Sequence, residues 1–262
     1  MNLGKSRIYA EPYAGGCGAA LELLFNGVVE EVFLNDVDPH IYSFWQAVLN
    51  DADWLVNRID RVNVSLSEWR LQRQIYDNYQ DHSRKDVAFS TFFLNRCNRG
   101  GILPKAGPIG GINQTGNFLI DARFHKEHLI DRILSIAAKR DQITFENLDA
   151  SDFICARLAQ FRNSRLLMYI DPPYYVQGEG LYLNHYTPKD HAAIARLLRL
   201  RRHRNWVLSY DKEQPILDLY QGMNTLYFDL QYSLQNVAIA KEVMVFSDSL
   251  KVPNAVSNMF LS

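Results

Sequence analysis

Residues 170–175, IDPPYY, follow the apolar run RLLMY and set an acid, two prolines and two tyrosines at the end of a buried strand. These residue types suit one task, gripping an exocyclic amine of a nucleobase. The nitrogen lone pair of such an amine is delocalised into the ring. Two acceptors aimed at its two hydrogens help return that pair towards a methyl donor. The Asp171 carboxylate is one acceptor and the backbone carbonyl of Pro172 the other, with Pro173 fixing the turn that holds the carbonyl. Tyr174 adds a flat face on which an extruded base can stack. An ordinary strand-ending turn would account for the prolines but not for the acid and the ring together. Tyr175 belongs either to the core or to the base pocket.

A second constellation lies near the start, in EPYAGGCG. Gly15 and Gly16 stand between a strand and a helix, where a ligand can approach the backbone and meet the helix N-terminus. Asp36 ends the next strand, twenty residues beyond Gly16. Its carboxylate can accept hydrogen bonds from both hydroxyls of a ribose. Together they describe a nucleoside-type cofactor site for a dinucleotide or S-adenosylmethionine, without the G-x-G-x-x-G phosphate fingerprint. The amine-gripping turn, placed where open parallel sheets bind ligands, selects the methyl donor.

The elements that must position these residues can be read from periodicity. RIYAEP and EVFLND are strands, and GGCGAALELLFNG is a glycine turn entering a helix that Gly27 can end. Asp38 and Pro39 open a helix with Ile41, Phe44, Trp45, Val48 and Leu49 on one face. ITFEN, RLLMYI and WVLSYD are further strands, and Thr187 and Pro188 start the helix between the last two. Apolar strands alternating with helices imply a mostly parallel sheet covered on both faces. Two late strands, about 224–232 and 242–247, are too close for a crossover helix and pair antiparallel. The Arg196–Arg204 cluster reads as a solvated helix face with packed stems, and His191 as a helix-surface residue.

Residues 51–140 differ in character: helical, polar, rich in Arg and Gln, with a capping box expected at Ser65 and Glu68 and an amphipathic helix carrying Leu129, Ile133 and Ala137. A loop at 95–118 interrupts them with Gly100, Gly101, Gly107, Gly110, Gly111 and Gly116. Loops of that length are usually functional or disordered. The expected organisation is therefore 1–50 as the first part of a catalytic domain, 51–140 as an insert, and 141–262 as the remainder.

Composition bounds the partners. The 262-residue chain is 47% hydrophobic and 22% charged, ordinary for a soluble globular enzyme. No apolar stretch approaches the roughly 20 residues of a membrane span, and the N-terminus lacks a signal-peptide core. Cys17, Cys97 and Cys155 are odd in number and far apart, which suggests reduced thiols in a cytoplasm and no zinc site. A formal net charge of −1 means that any nucleic acid must be met by a local patch.

EPYAGGCGAALELLF, FLNDVDPHIYSFW, FFLNRCNRGGIL and YIDPPYY, in that order and over nearly the whole chain, closely resemble the alpha-class DNA adenine methyltransferases. The resemblance implies a Rossmann-like α/β methyltransferase fold, with the insert recognising double-stranded DNA and S-adenosylmethionine as cofactor. It implies methylation of the adenine 6-amino group with base flipping, and no metal. By resemblance Glu11, Pro12, Tyr13, Ala14, Gly15 and Gly16 line the methionine and ribose side of the cofactor, Asp36 holds the ribose, and Asp152 and Phe153 contact its adenine. In the loop, Arg96, Arg99 and Lys105 would neutralise phosphates, while Asn98, Asn113 and Gln114 would read adenine edges. Relatives also carry a P-G-G-K-like segment upstream that closes over the methionine end. Here only ten residues precede Glu11, and GKSR is a poor remnant. Three expectations follow: the sequence begins late, another chain completes the cofactor site, or the site is incomplete and the protein is a catalytically silent DNA-binding or complex-forming relative. Methylation of RNA or a protein glutamine fits less well, because those groups more often carry Asn at the position of Asp171 and lack such an insert.

Overall fold

The computed structural model describes residues 7–175, 186–233 and 237–252. In chain order its elements are β1 (Ile8–Glu11), α1 (Gly18–Phe25), β2 (Glu31–Asn35), α2 (Pro39–Asn50), α3 (Ala52–Arg61), α4 (Leu66–Asp77), α5 (Arg84–Cys97), α6 (Lys126–Ala137), β3 (Ile143–Glu146), α7 (Ala150–Gln160), β4 (Leu166–Ile170), α8 (Pro188–Leu200), β5 (Trp206–Asp211), α9 (Gln214–Leu219), β6 (Asn224–Ser233) and β7 (Val237–Phe246). They fall into two compact units, Met1–Asp36 with Leu148–Ser262, and Val37–Asn147. No helix among the described residues is long and apolar enough to cross a membrane.

The first unit holds six strands in the order β2-β1-β4-β5-β7-β6. β1 pairs parallel with β2 and β4, β4 pairs parallel with β5, and β7 runs antiparallel to both β5 and β6. The sheet is thus mostly parallel with an antiparallel edge, as the strand spacing implies. Its core gathers Phe153 from α7, Met168 and Ile170 from β4, Leu198 from α8, and Trp206 and Leu208 from β5. Each such side chain contributes about 1.5–3 kcal/mol by leaving water.

The start of α8 is fixed by a reciprocal capping box between Thr187 and Asp190, with Pro188 in the first turn. Its His191 is not a surface residue. It is 1% exposed, and its Nδ1 lies 2.8 Å from the Tyr210 hydroxyl. Burial lowers its pKa, so the ring is held neutral. The reason is the helix period: His191, Ile194, Ala195 and Leu198 form one buried face at i, i+3, i+4 and i+7. The arginines that follow are occupied structurally. Arg199 donates to the carbonyls of Leu219 and Gln221 at 2.8 Å each, Arg204 donates to the Phe161 carbonyl, and Arg202 pairs with Asp248 at 3.3 Å.

The second unit is helical apart from β3. Asp38 caps α2 through the His40 amide, while Ser65 and Ser83 cap α4 and α5 through the amides three residues on. Glu68 turns aside from a reciprocal box and accepts instead from Arg58 and Gln72, both at 2.9 Å. The unit runs from 37 to 147 rather than 51 to 140 because α2 packs within it. The Phe44 ring stacks on Phe92 of α5 at 6.1 Å, and Trp45 stacks on Phe145 of β3 at 5.7 Å.

In the first unit one buried side chain ties three segments together. Asn35, at the end of β2, is fully buried. Its Nδ2 donates to the carbonyls of Pro12 at 3.0 Å and Leu148 at 3.1 Å, while its Oδ1 accepts from the Leu148 amide at 2.8 Å. Its own carbonyl accepts from the Ala14 amide at 2.9 Å. Asn35→Ala leaves the Pro12 and Leu148 backbone groups without their partner, a cost of about 2–4 kcal/mol by the usual penalty for such groups. A urea titration should show a lower midpoint with an unchanged slope.

Candidate active site

At the carboxyl ends of the parallel strands the first unit concentrates acids. Glu11 ends β1, Asp36 follows β2, Asp171 follows β4 and Asp211 ends β5. Glu11 is 5% exposed, accepts hydrogen bonds from the Tyr9 hydroxyl and the Ala20 amide in the first turn of α1, and is nonetheless pushed up to about 7 by burial. Asp171 is pushed up to about 6, mainly by burial and secondarily by the charge of Glu242, against the lowering effect of a 2.7 Å hydrogen bond from Ser209 Oγ to Oδ1. Because that hydroxyl spends its proton on Asp171, the Tyr169 hydroxyl, 2.8 Å away, is the donor to Ser209.

The rest of IDPPYY is fixed around this acid. Pro172 and Pro173 are buried. The Tyr174 hydroxyl donates to Glu242 Oε1 at 2.9 Å, and the Tyr175 amide donates to Asp211 Oδ1 at 3.0 Å. The Tyr175 ring is half-buried and packs against the core, 5.2 Å from His191.

The glycine turn has the shape that backbone approach requires. Gly15 adopts φ +47, and the Cys17 that caps α1 adopts φ +53. A methyl group on Gly15 or Gly16 would meet no atom within 4 Å, so glycine at position 15 is demanded by its backbone angle and not by crowding. The space beside this turn is open to a ligand. Asp36 is half-buried at its rim, and its Oδ2 accepts from the Gly15 amide at 3.0 Å. Tyr13, by contrast, is turned towards Tyr186, with the two hydroxyls 2.8 Å apart. Phe153 also departs from expectation: its ring is fully buried in the core, so it packs beneath the site and presents no face to a cofactor adenine. Asp152, one residue earlier on α7, is exposed.

The candidate DNA-reading residues lie in the second unit and divide into two groups. Arg99, Lys105 and Asn113 are exposed. Asn98 is fully buried; its Oδ1 accepts from Trp69 at 2.8 Å and its Nδ2 donates to the Ile102 carbonyl at 2.7 Å, so base-edge reading by this amide is corrected to a loop-holding role. Gln114 is similarly engaged, donating to the carbonyls of Ile109 and Gly111 at 2.8 and 2.7 Å and accepting from Ile120. Arg96 donates to the Arg123 carbonyl at 3.2 Å. Gly110 is the tightest point of the loop, where a Cβ would stand 2.7 Å from the Phe118 carbonyl oxygen.

A family model for D12 class N6 adenine-specific DNA methyltransferases matches residues 2–234. The chain belongs to that family. Among solved structures, the rRNA methyltransferase aviRa from Streptomyces viridochromogenes is 14% identical over 95% of this chain and 80% of that one, with a TM-score of 0.37, too loose a likeness to carry any argument. The comparison with curated proteins returns no match.

Several residues that shape the candidate site escaped the sequence reading: Asn35, Ser209, Asp211 and Glu242. Ser209 carries a recognisable signal, a polar residue in the middle of the apolar run of WVLSYD, whereas Glu242 follows Lys241 in KEVMVF and has no such signal. Glu11 generates a stability prediction. Its folded pKa of about 7 lies above the ordinary 4.5, so folding favours the protonated acid, and stability falls as pH rises from the ordinary value through 7. Glu11→Gln should therefore raise Tm at pH 8 and give no gain below about pH 4, where the acid is protonated folded or unfolded. Thermal melts across that range check it.

Proposed function

We propose that this DNA adenine methyltransferase uses S-adenosylmethionine and flips its target adenine onto Tyr174, with Asp171 and the Pro172 carbonyl receiving the two hydrogens of the 6-amino group. The observation that carries this reading is the anchored IDPPYY turn. Ser209 holds one oxygen of a half-buried, partly desolvated carboxylate, and the Tyr174 ring is fastened by its hydroxyl. An acceptor stripped of water is a stronger partner for an amine that gains positive charge during transfer. With the methyl donor bound, the amine nitrogen would take the methyl as the methyl–sulfur bond breaks and its electron pair leaves on a neutral thioether, and the surplus proton on nitrogen would pass to Asp171 or to solvent.

The residues around the glycine turn suit a sulfonium nucleoside. The open space at Gly15 and Gly16 admits a backbone approach, Asp36 offers a carboxylate to ribose hydroxyls, and Glu11 is a buried acid suited to a cationic amino-acid end. When bound there, S-adenosylmethionine supplies an electrophilic methyl group. Glu11, Pro12, Tyr13 and Ala14 form one wall through their backbone and the buried acid, and Asp152 is the proposed contact for the cofactor adenine.

Double-stranded DNA is the proposed partner of the second unit, through Arg99 and Lys105 on phosphates and Asn113 on a base edge. The loop that carries them is shaped by its own polar side chains, including the bonds from Arg73 to the carbonyls of Leu103 at 2.8 Å and Ala106 at 3.1 Å.

Tritiated methyl transfer to unmethylated genomic duplex DNA, followed by sequencing for methyladenine, tests the reading and identifies the recognised site. Wild-type protein should label adenine; a silent relative would bind DNA and leave it unlabelled. Asp171→Ala should keep its fold and lose the rate by about 100-fold or more, the scale seen when a preorganised charge-stabilising group is removed. Full activity in that variant would overturn the mechanism.

A further inference from the structure

Three side chains from one antiparallel strand pair end on IDPPYY. In the β5–β7 ladder Asp211 lies opposite Glu242, and Ser209 opposite Met244. Ser209 holds Asp171 Oδ1, Asp211 holds the Tyr175 amide, and Glu242 receives the Tyr174 hydroxyl. Glu242 is the costly member. It is 4% exposed in the strand segment KEVMVF, where burying a carboxylate is unfavourable unless its partners compensate.

We propose that Glu242 is a positioning residue of methyl transfer, fixing the Tyr174 ring through its hydroxyl and placing a second negative charge beside Asp171 as the target amine becomes cationic. The proposal rests on the reading of Asp171 and Tyr174 as amine acceptor and base platform. A tyrosine side chain turns about two bonds, so anchoring the hydroxyl at the far end of the ring sets the plane on which a base must stack. Productive geometry tolerates errors of only about 10–20°. Ser209 completes the device: it occupies Oδ1, so the amine meets the other carboxylate oxygen. The hairpin edge thereby sets both halves of the grip from one register.

A residue that only filled space would leave the titration of Asp171 alone. Glu242 does not, because its charge raises the Asp171 pKa. The other groups acting with Asp171 are Tyr9 and Glu11 of β1, Tyr169 of β4, and Ser209 and Tyr210 of β5. Asp171 must be ionised to accept, so activity falls as pH drops through its pKa. Removing the charge of Glu242 lowers that pKa and moves the acid limb to lower pH.

The test is single-turnover transfer of tritiated methyl to unmethylated duplex DNA, from about pH 5 to 8, with wild type and three full-length variants. Glu242→Gln keeps an acceptor for Tyr174 but removes the charge; its acid limb should move down by some tenths of a pH unit, about the scale of one partly screened neighbour. Glu242→Ala and Tyr174→Phe each break the anchor, and each should lower the rate about tenfold or more while cofactor affinity measured by calorimetry is retained. Tyr174→Phe also keeps the charge, so its acid limb should stay in place. An unmoved limb in Glu242→Gln, or a full rate in Tyr174→Phe, overturns the proposal. Should Glu242→Ala fail to fold, those two variants still decide. A wild type that transfers no methyl at any pH would instead refute the reading of the site itself.

Discussion

The hydrogen bonds of the buried Asn35 amide set the geometry on which the first unit depends. Parallel strands leave their carboxyl ends open, and the turns that leave them have no ladder to hold them. Asn35 supplies the missing bonds: one side-chain amide reaches the carbonyl after β1 and both backbone groups of Leu148 ahead of α7. The Ala14 amide closes on its carbonyl, so the chain enters the Gly15 turn at a fixed angle. Gly15 and Cys17 can then take left-handed backbone angles, and Asp36, next after Asn35, is brought onto the Gly15 amide. The geometry of the glycine turn thus follows from a single amide with nearly all of its hydrogen-bonding capacity used.

The same strand ends hold acids that the fold alone would not choose. Glu11 and Asp171 both have raised pKa values because burial penalises their charged forms. Hydrogen bonds from Tyr9, Ala20 and Ser209 recover part of that cost and no more. A solvent-exposed acid would lose its strength as an acceptor. Desolvated carboxylates with one-sided support are the compromise expected where function requires residues that stability disfavours.

What could be read in advance follows the physics of sequence separation. The strands, the glycine turn, the Asp38 and Thr187 caps and the IDPPYY turn each depend on contiguous residues, and local rules place them. His191 was within reach too, since its spacing to Ile194, Ala195 and Leu198 is a buried-face pattern, although the polar residue type suggested a surface. The bonds from Ser209 to Asp171 and from Tyr174 to Glu242 join residues 38 and 68 positions apart, and no local pattern encodes them. Phe153 shows the converse: a motif matched in sequence places a ring, but burial decides whether that ring meets a ligand or the core.

The glycine-rich loop joins both lessons. Its glycines suggested backbone freedom, yet Gly110 stands where any Cβ would collide with the Phe118 carbonyl, and Gly116 comes within 3.0 Å of Gly110 under the same test. Glycine here permits close approach and does not imply mobility. Asn98 and Gln114, two of the three amides suited by type to reading bases, instead hold the approach in place. Two of the loop's side-chain amides are thus spent on its own backbone. Of the side chains proposed for DNA contact, Arg99, Lys105 and Asn113 are the ones the scaffold leaves exposed.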